Sequence, residues 1–180
     1  MTERPTTRGT ENPHHILGRA LTLPCGAVLK NRLAKSAMSD ALGDGEGNPT
    51  EAQARLYERW AQGGAAVSVI GEVQGDPRFP EKPGNLVFGE HSDPKMMHAL
   101  VSRSSIDGAL LWPQLGHAGA LSHGPISAPT GPSALDIPGL QCAGMSKGEV
   151  EALPDMYAKT AAFAKRAGPD LCPSAGGGHR

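Results

Sequence analysis

Aromatic side chains are scarce in this sequence: three Phe, two Tyr and two Trp make up 4% of its 180 residues, so a core must be built mainly from aliphatic and small side chains. Cysteine is rare as well. Cys25, Cys142 and Cys172 are odd in number and far apart, which suits neither a disulfide framework nor a paired Cys-x-x-Cys metal site. Of the seven histidines, no two have the His-x-x-x-His spacing that puts two ligands on one helical face, and His14-His15 stands in a polar stretch, so no metal is expected. No apolar run reaches ten residues, which is too short to span a bilayer, and the N-terminus lacks the apolar core of a signal peptide. The expectation is a cytoplasmic protein without membrane contact. Charge of one sign is not in excess either: the net charge is −1, with Lys and Arg spread along the chain, so there is no electrostatic footprint for nucleic acid.

What is present is turn chemistry. With Gly 24, Pro 16, 38% hydrophobic and 19% charged residues, the composition is that of one loop-rich globular domain. Residues 1–15 hold no periodic apolar positions and read as a disordered leader, with order beginning near Ile16. Leu21 to Leu29 reads as a small hairpin turned at Pro24-Cys25-Gly26, and Arg32 to Met38 has the length of a buried strand. After a Gly- and Asp-rich loop, Thr50-Glu51-Ala52-Gln53 predicts a capping box and a helix through Trp60, closed at Gly63-Gly64. Ala65 to Ile70 predicts a second strand.

The pattern then repeats. After a Pro/Gly loop over 75–90, Ser92-Asp93-Pro94 opens a helix through Val101, and Ala109-Leu110-Leu111-Trp112 follows as a third strand. A second long loop, 117–144, leads to a second capping box, Ser146 to Glu149, and a helix to about Ala167 that Pro154 is expected to kink or split. Strands alternating with helices imply parallel strands and an α/β class. A doubly wound sheet would want a G-x-G-x-x-G turn directly after its first strand, and Gly43-Asp44-Gly45-Glu46-Gly47 has neither that spacing nor a helix at its end. A (β/α)8 TIM barrel places function in long loops after its strands, and those are the long loops here.

Four stretches in order carry a family resemblance. They are Leu29-Lys30-Asn31-Arg32-Leu33 leading to Ser36-Ala37-Met38-Ser39; Gly45 to Thr50 with Gly63-Gly64-Ala65; Trp112-Pro113-Gln114-Leu115-Gly116-His117-Ala118-Gly119; and Ala128-Pro129 with Gly131 to Ala134, followed by the helix ending in Lys165-Arg166-Ala167-Gly168. This set resembles the N-terminal half of the Old Yellow Enzyme family of FMN-dependent NAD(P)H:flavin oxidoreductases, in its "K-N-R", "D-G-x-P-T", "Q-L-x-H-x-G-R" and "A-P-S" motifs. The resemblance implies FMN as cofactor and NAD(P)H as reductant. It also implies cofactor-binding positions at Ser36, Ala37, Met38, Ser39, Glu72 and Gln114, with His117 on the substrate side. Ser39 falls where a Thr or Cys contacts the isoalloxazine edge, and Gln114 where a glutamine bonds the pyrimidine end of the ring. Glu72 replaces a small residue or an amide, Ala120 replaces the motif's arginine, and Ala41 stands where some members carry an aromatic residue.

The resemblance breaks off after Gly168: the run Pro169 to Arg180 does not match the family's fourth strand with its histidine pair. The expected architecture is therefore α/β, a partial TIM barrel of about three βα units with an N-terminal β-hairpin, over residues 16–168, followed by a divergent, unstructured tail at 169–180. A barrel takes about 250 residues and commonly builds its phosphate site from its seventh and eighth strands. The expected function is hydride transfer from NAD(P)H via FMN to a small, unsaturated or quinone-like acceptor, by a truncated chain whose own activity stays open. Two alternatives stand beside it: a non-catalytic half-barrel that self-associates through exposed sheet edges, and a different TIM-barrel enzyme acting on phosphorylated substrates.

Overall fold

The computed structural model describes residues 13–168, the side chains of residues 13, 14 and 72 excepted. Residues 1–12 of the expected leader, the tail at 169–180 and Cys172 lie outside the described residues. Helix α1 (Pro13–Leu17) crosses the boundary drawn at Ile16. Its proline sits at the first helical position, where the missing N–H costs no hydrogen bond.

The hairpin forms as read. Strands β1 (Leu21–Thr22) and β2 (Val28–Leu29) pair antiparallel, and Gly26, at φ +87°, supplies the left-handed turn residue between them. Leu29 clusters with Ala66 and Val67, and Leu21, Leu23, Leu110 and Trp112 pack around that trio. The hairpin thus plugs the N-terminal end of the main sheet.

That sheet contains β3 (Ala34–Lys35), β4 (Val67–Gln74), β5 (Leu86–Val87) and β6 (Leu110–Gly116), and every pairing in it is parallel. Val67 pairs with both Ala34 and Leu110, so β3 and β6 flank β4 on opposite sides. Val73 pairs with both Leu86 and Leu115, which puts β5 on the same side as β3, further along. Helix α2 (Glu51–Gln62) links β3 to β4, α3 (Pro94–Ser104) leads from β5 toward β6, and α4 (Lys147–Ala167) follows β6. The apolar faces of the helices close on one side of the sheet: Ala54 and Tyr57, Met97 and Leu100, and Ala164 bury Ile70, Val73 and Leu111. The architecture is the three βα units and hairpin expected.

Several local expectations are corrected. The first strand is two residues long rather than spanning Arg32 to Met38, and Met38 is 53% exposed. The second and third strands run beyond Ile70 and Trp112, to Gln74 and Gly116. Pro113 is tolerated because β6 pairs only with β4 among the described residues and its other edge needs no donor there. The long loops are not structureless: β5 lies in the first, and the second forms a small sheet of β7 (Thr130–Gly131), β8 (Leu135–Ile137) and β9 (Leu140–Gly144), in the order β7-β9-β8. The box at Thr50 is half formed, since its hydroxyl accepts from Gln53 N but the Gln53 amide turns to Asp40. Helix α4 runs through Pro154 without splitting. The carbonyl that proline leaves unpaired is that of Val150, an exposed residue that water can serve.

The second capping box is complete: Ser146 Oγ accepts from Glu149 N at 3.3 Å, and the Glu149 carboxylate accepts from Ser146 N at 2.7 Å. That backbone N–H, the largest cause, holds the Glu149 carboxyl below its ordinary value of 4.5. A depressed carboxyl stabilises the fold above its unfolded value and loses that contribution as pH falls through the folded one. Glu149→Gln is therefore expected to lower the Tm at pH 7, and the gap from wild type should shrink as the pH drops below 4.5; thermal melts across that range check it.

Candidate functional site

The C-terminal end of the sheet is organised around a residue with no side chain. The register of β4 against β6 breaks between Ile70 and Val73, a bulge of the kind a lone glycine in a strand often marks, and Gly71 lies within it. On one side Gly71 bridges to Ser39 in parallel. A Cβ at Gly71 would stand 2.5 Å from Gln114 Oε1 and 2.9 Å from the Ala37 Cβ. The β3 exit and the end of β6 therefore close over the Gly71 backbone, which puts Ala37, Ser39 and Gln114 around one point.

A polar network beneath fixes the β3 exit. Asp40 Oδ1 accepts from Leu42 N at 2.9 Å and from Gln53 Nε2 at 2.9 Å. Lys35 Nζ donates to Tyr57 Oη and to the Val69 carbonyl, both at 3.1 Å. Burial pulls the Lys35 ammonium below its ordinary pKa, with Asp40 opposing; burial first, then the Asp40 charge, pushes the Tyr57 phenol far up. Ala41, next in the chain, takes the left-handed conformation at φ +55°, a strained state for a residue with a Cβ. The backbone of Gly84 packs directly on that of Ala41 with no room for a side chain between.

The loops beyond the sheet are tied to it. Gln74 is fully buried, and its Oε1 accepts from Ala118 N at 3.1 Å, which anchors the loop after β6. In that loop the His117 ring lies 4.6 Å from Phe79 at 35°. The Arg78 guanidinium covers Phe79 at 5.1 Å and pairs with Asp76 at 2.6 Å. Burial raises the Asp76 carboxyl, but the Arg78 hydrogen bonds and charge outweigh it and hold the carboxyl below its usual value.

Of the residues named from the sequence, the structure brings Ala37, Ser39 and Gln114 together. Ser36, Met38 and Gln114 are exposed, while Ala37 and Ser39 are half-buried. Glu72 lies in the bulged part of β4, and its side chain is outside the described residues. His117 stacks on Phe79 instead of joining the group at Gly71. Sequence reasoning missed Gly71, Gln74 and Asn85, and only the first left a signal, a glycine inside a β-branched run. A cavity of about 850 Å³ lies apart from this point, between α4 and the segment after β5, and is lined in part by Phe88, Lys159, Phe163 and Arg166. None of the cofactor- or substrate-side residues named from the sequence lines it.

The arrangement fits the ring end of a flavin. Gln114 offers an exposed amide with both a donor and an acceptor, Ser39 offers a hydroxyl, and the missing side chain at Gly71 lets Ala37 and Gln114 converge beside it. The seventh and eighth strands, from which this architecture commonly builds a phosphate site, are not among the described residues. No cluster of three or more metal-ligating side chains occurs among the described residues, and no helix there is long and apolar enough to cross a membrane.

A parallel sheet with crossover helices, a plugged N-terminal end and polar groups gathered at its C-terminal edge is the front of an α/β barrel. Its likeness is to flavin oxidoreductases of the Old Yellow Enzyme type. No family model matches the chain. The NADH-dependent flavin oxidoreductase iliE of Hypocrea jecorina (strain QM6a) is 29% identical over 127 residues, 65% of this chain and 32% of that protein. The NADH-dependent flavin oxidoreductase iccE of Talaromyces variabilis is 35% identical over 78 residues, 43% of this chain and 17% of that one. The Old Yellow Enzyme homologue from Zymomonas mobilis superposes with a TM-score of 0.75 at 20% identity, over 84% of this chain and 46% of that chain. The chain thus spans about a third of the length of the first of these relatives. The resemblance read from the motifs is borne out, and the named relatives are oxidoreductases.

Proposed function

We propose that this chain forms the flavin-ring-binding front of an Old Yellow Enzyme-type oxidoreductase barrel, with FMN as cofactor, NAD(P)H as reductant and a small, unsaturated or quinone-like molecule as acceptor. The observation that carries the reading is the convergence at Gly71, where Ala37, Ser39 and Gln114 surround a backbone that tolerates no Cβ. When bound, flavin supplies hydride transfer between reductant and acceptor. The residues of this chain bind and orient: the Gln114 amide can donate and accept along one ring edge, and the Ser39 hydroxyl can donate to another atom. His117, packed on Phe79 and without a hydrogen-bond partner among the described residues, is proposed for the acceptor side.

Strands β3 and β6 each pair on one side only among the described residues. We propose that these edges complete the barrel with further parallel strands or, in their absence, lead to self-association. The cytoplasm is the proposed location.

An FMN titration of the purified chain, read by quenching of flavin fluorescence, tests the reading. Saturable quenching is expected, with Gln114→Ala weakening it about tenfold, the worth of about one good hydrogen bond. Sedimentation of the same samples over a range of concentrations reads association. Absence of quenching from a folded, monomeric chain would refute the assignment of the ring site to this segment.

A further inference from the structure

Asn85 belongs to none of the motifs, yet it reaches Ser39 across 46 positions of sequence. It is 4% exposed and lies immediately before β5, in the loop that Gly84 seats on Ala41. Its Oδ1 accepts from Lys82 N at 2.6 Å, and its Nδ2 donates to Ser39 Oγ at 3.1 Å. The first bond fixes which way the amide faces, since only an oxygen can accept from a backbone N–H. The amide nitrogen is thereby aimed at Ser39, and the Ser39 oxygen must accept. A hydroxyl has a single proton, and no described residue accepts that of Ser39.

We propose that Asn85 is a positioning residue for Ser39: by occupying the hydroxyl oxygen as a donor, it leaves the hydroxyl proton free to donate to a bound flavin. The inference rests on the flavin reading, and it adds a residue, a hydrogen-bond direction and a dependence of one site group on a distant loop. A buried amide that merely capped its own turn would need only the Lys82 bond. The second bond spends the remaining polar end of Asn85 on a hydroxyl at the Gly71 point.

The test is a double-mutant cycle on FMN affinity in the full chain, read by fluorescence quenching, with circular dichroism confirming the fold of each variant. Asn85→Ala is expected to weaken binding about fivefold in the wild-type background and less than about twofold in Ser39→Ala, where there is no hydroxyl to orient. Asn85→Asp keeps the oxygen that Lys82 N–H needs but offers Ser39 an acceptor, which draws the proton inward. It is expected to weaken binding at least as much as Asn85→Ala, and it keeps the test alive if the alanine variant misfolds. Equal losses in both backgrounds, or wild-type affinity for Asn85→Asp, would overturn the role of Asn85 while leaving the flavin site intact. A folded wild-type chain with no FMN affinity would instead overturn the flavin reading, and the inference with it.

Discussion

Replacing Gly71 by valine is expected to lower the unfolding free energy by about 2–3 kcal/mol, the scale of an overpacked core, and to abolish flavin quenching. The two obstacles to a side chain there are not equivalent. Gln114 Oε1, at 2.5 Å from the added Cβ, ends a flexible side chain and can swing aside. The Ala37 Cβ, at 2.9 Å, is fixed to backbone, and relieving that clash means moving the β3 exit. That exit bridges to Gly71 itself through Ser39 and is held from below by Asp40, which accepts from Leu42 N and Gln53 Nε2. Valine would add two more methyl groups to the same space. Even if the sheet absorbed the strain, the displaced Gln114 amide would no longer be set for a ligand. Gly124→Ala, where an added Cβ meets nothing within 4 Å, is the control and should be close to neutral. Denaturant unfolding followed by circular dichroism reads the first effect, and fluorescence titration reads the second.

Tyr57→Ala is expected to cost about 3–5 kcal/mol, as for truncation of a buried aromatic side chain, while Tyr57→Phe should cost about 1 kcal/mol, the worth of one hydrogen bond. Tyr57 is fully buried where α2 meets the sheet, among Ala54, Ile70 and Leu100. Its removal leaves a cavity at the centre of the larger core. Its hydroxyl also accepts from Lys35 Nζ at 3.1 Å, and Lys35 keeps a second acceptor in the Val69 carbonyl, so the phenylalanine variant leaves the ammonium partly satisfied. In a sequence with 4% aromatics, few other large side chains are at hand to refill the gap. A ratio of the two losses near one, in the same unfolding assay, would mean that the hydroxyl rather than the ring holds α2 in place.

The parts of the fold legible in the sequence are those governed by neighbours along the chain. Thr50, Asp93 and Ser146 announce helix starts because a capping side chain bonds a backbone N–H two or three residues away. The turn at Gly26 is equally local. The expected strand ends fell short at Ile70 and Trp112, because Gly71 and Pro113 are poor strand residues by propensity and only pairing with a neighbouring strand carries the extended chain past them. Similarly, local spacing makes Gln53 a capping partner for Thr50, but the Asp40 carboxylate, thirteen residues away and brought close by the fold, competes for its amide and wins. The small sheet β7-β9-β8 left no periodic signal because its strands are two to five residues long.

The candidate site divides in the same way. Ser36 to Ser39, Gln114 and His117 could be named because their motifs are contiguous, and contiguity is what a sequence preserves. Which of them meet is decided by parallel pairing, a non-local relation. The register that sets Ser39 against Gly71 and carries β6 along β4 brings Ala37, Ser39 and Gln114 together and leaves His117 on Phe79. An α/β alternation, the helix caps, the hairpin and the flavin-oxidoreductase likeness are legible in residue order alone, since each rests on short-range spacing or an ordered set of short motifs. Folding alone gathers Ala37, Ser39 and Gln114 at Gly71 and brings the Asn85 amide within 3.1 Å of the Ser39 hydroxyl. Close approach and hydrogen-bond direction depend on distances between residues far apart in the chain, and no local pattern encodes them.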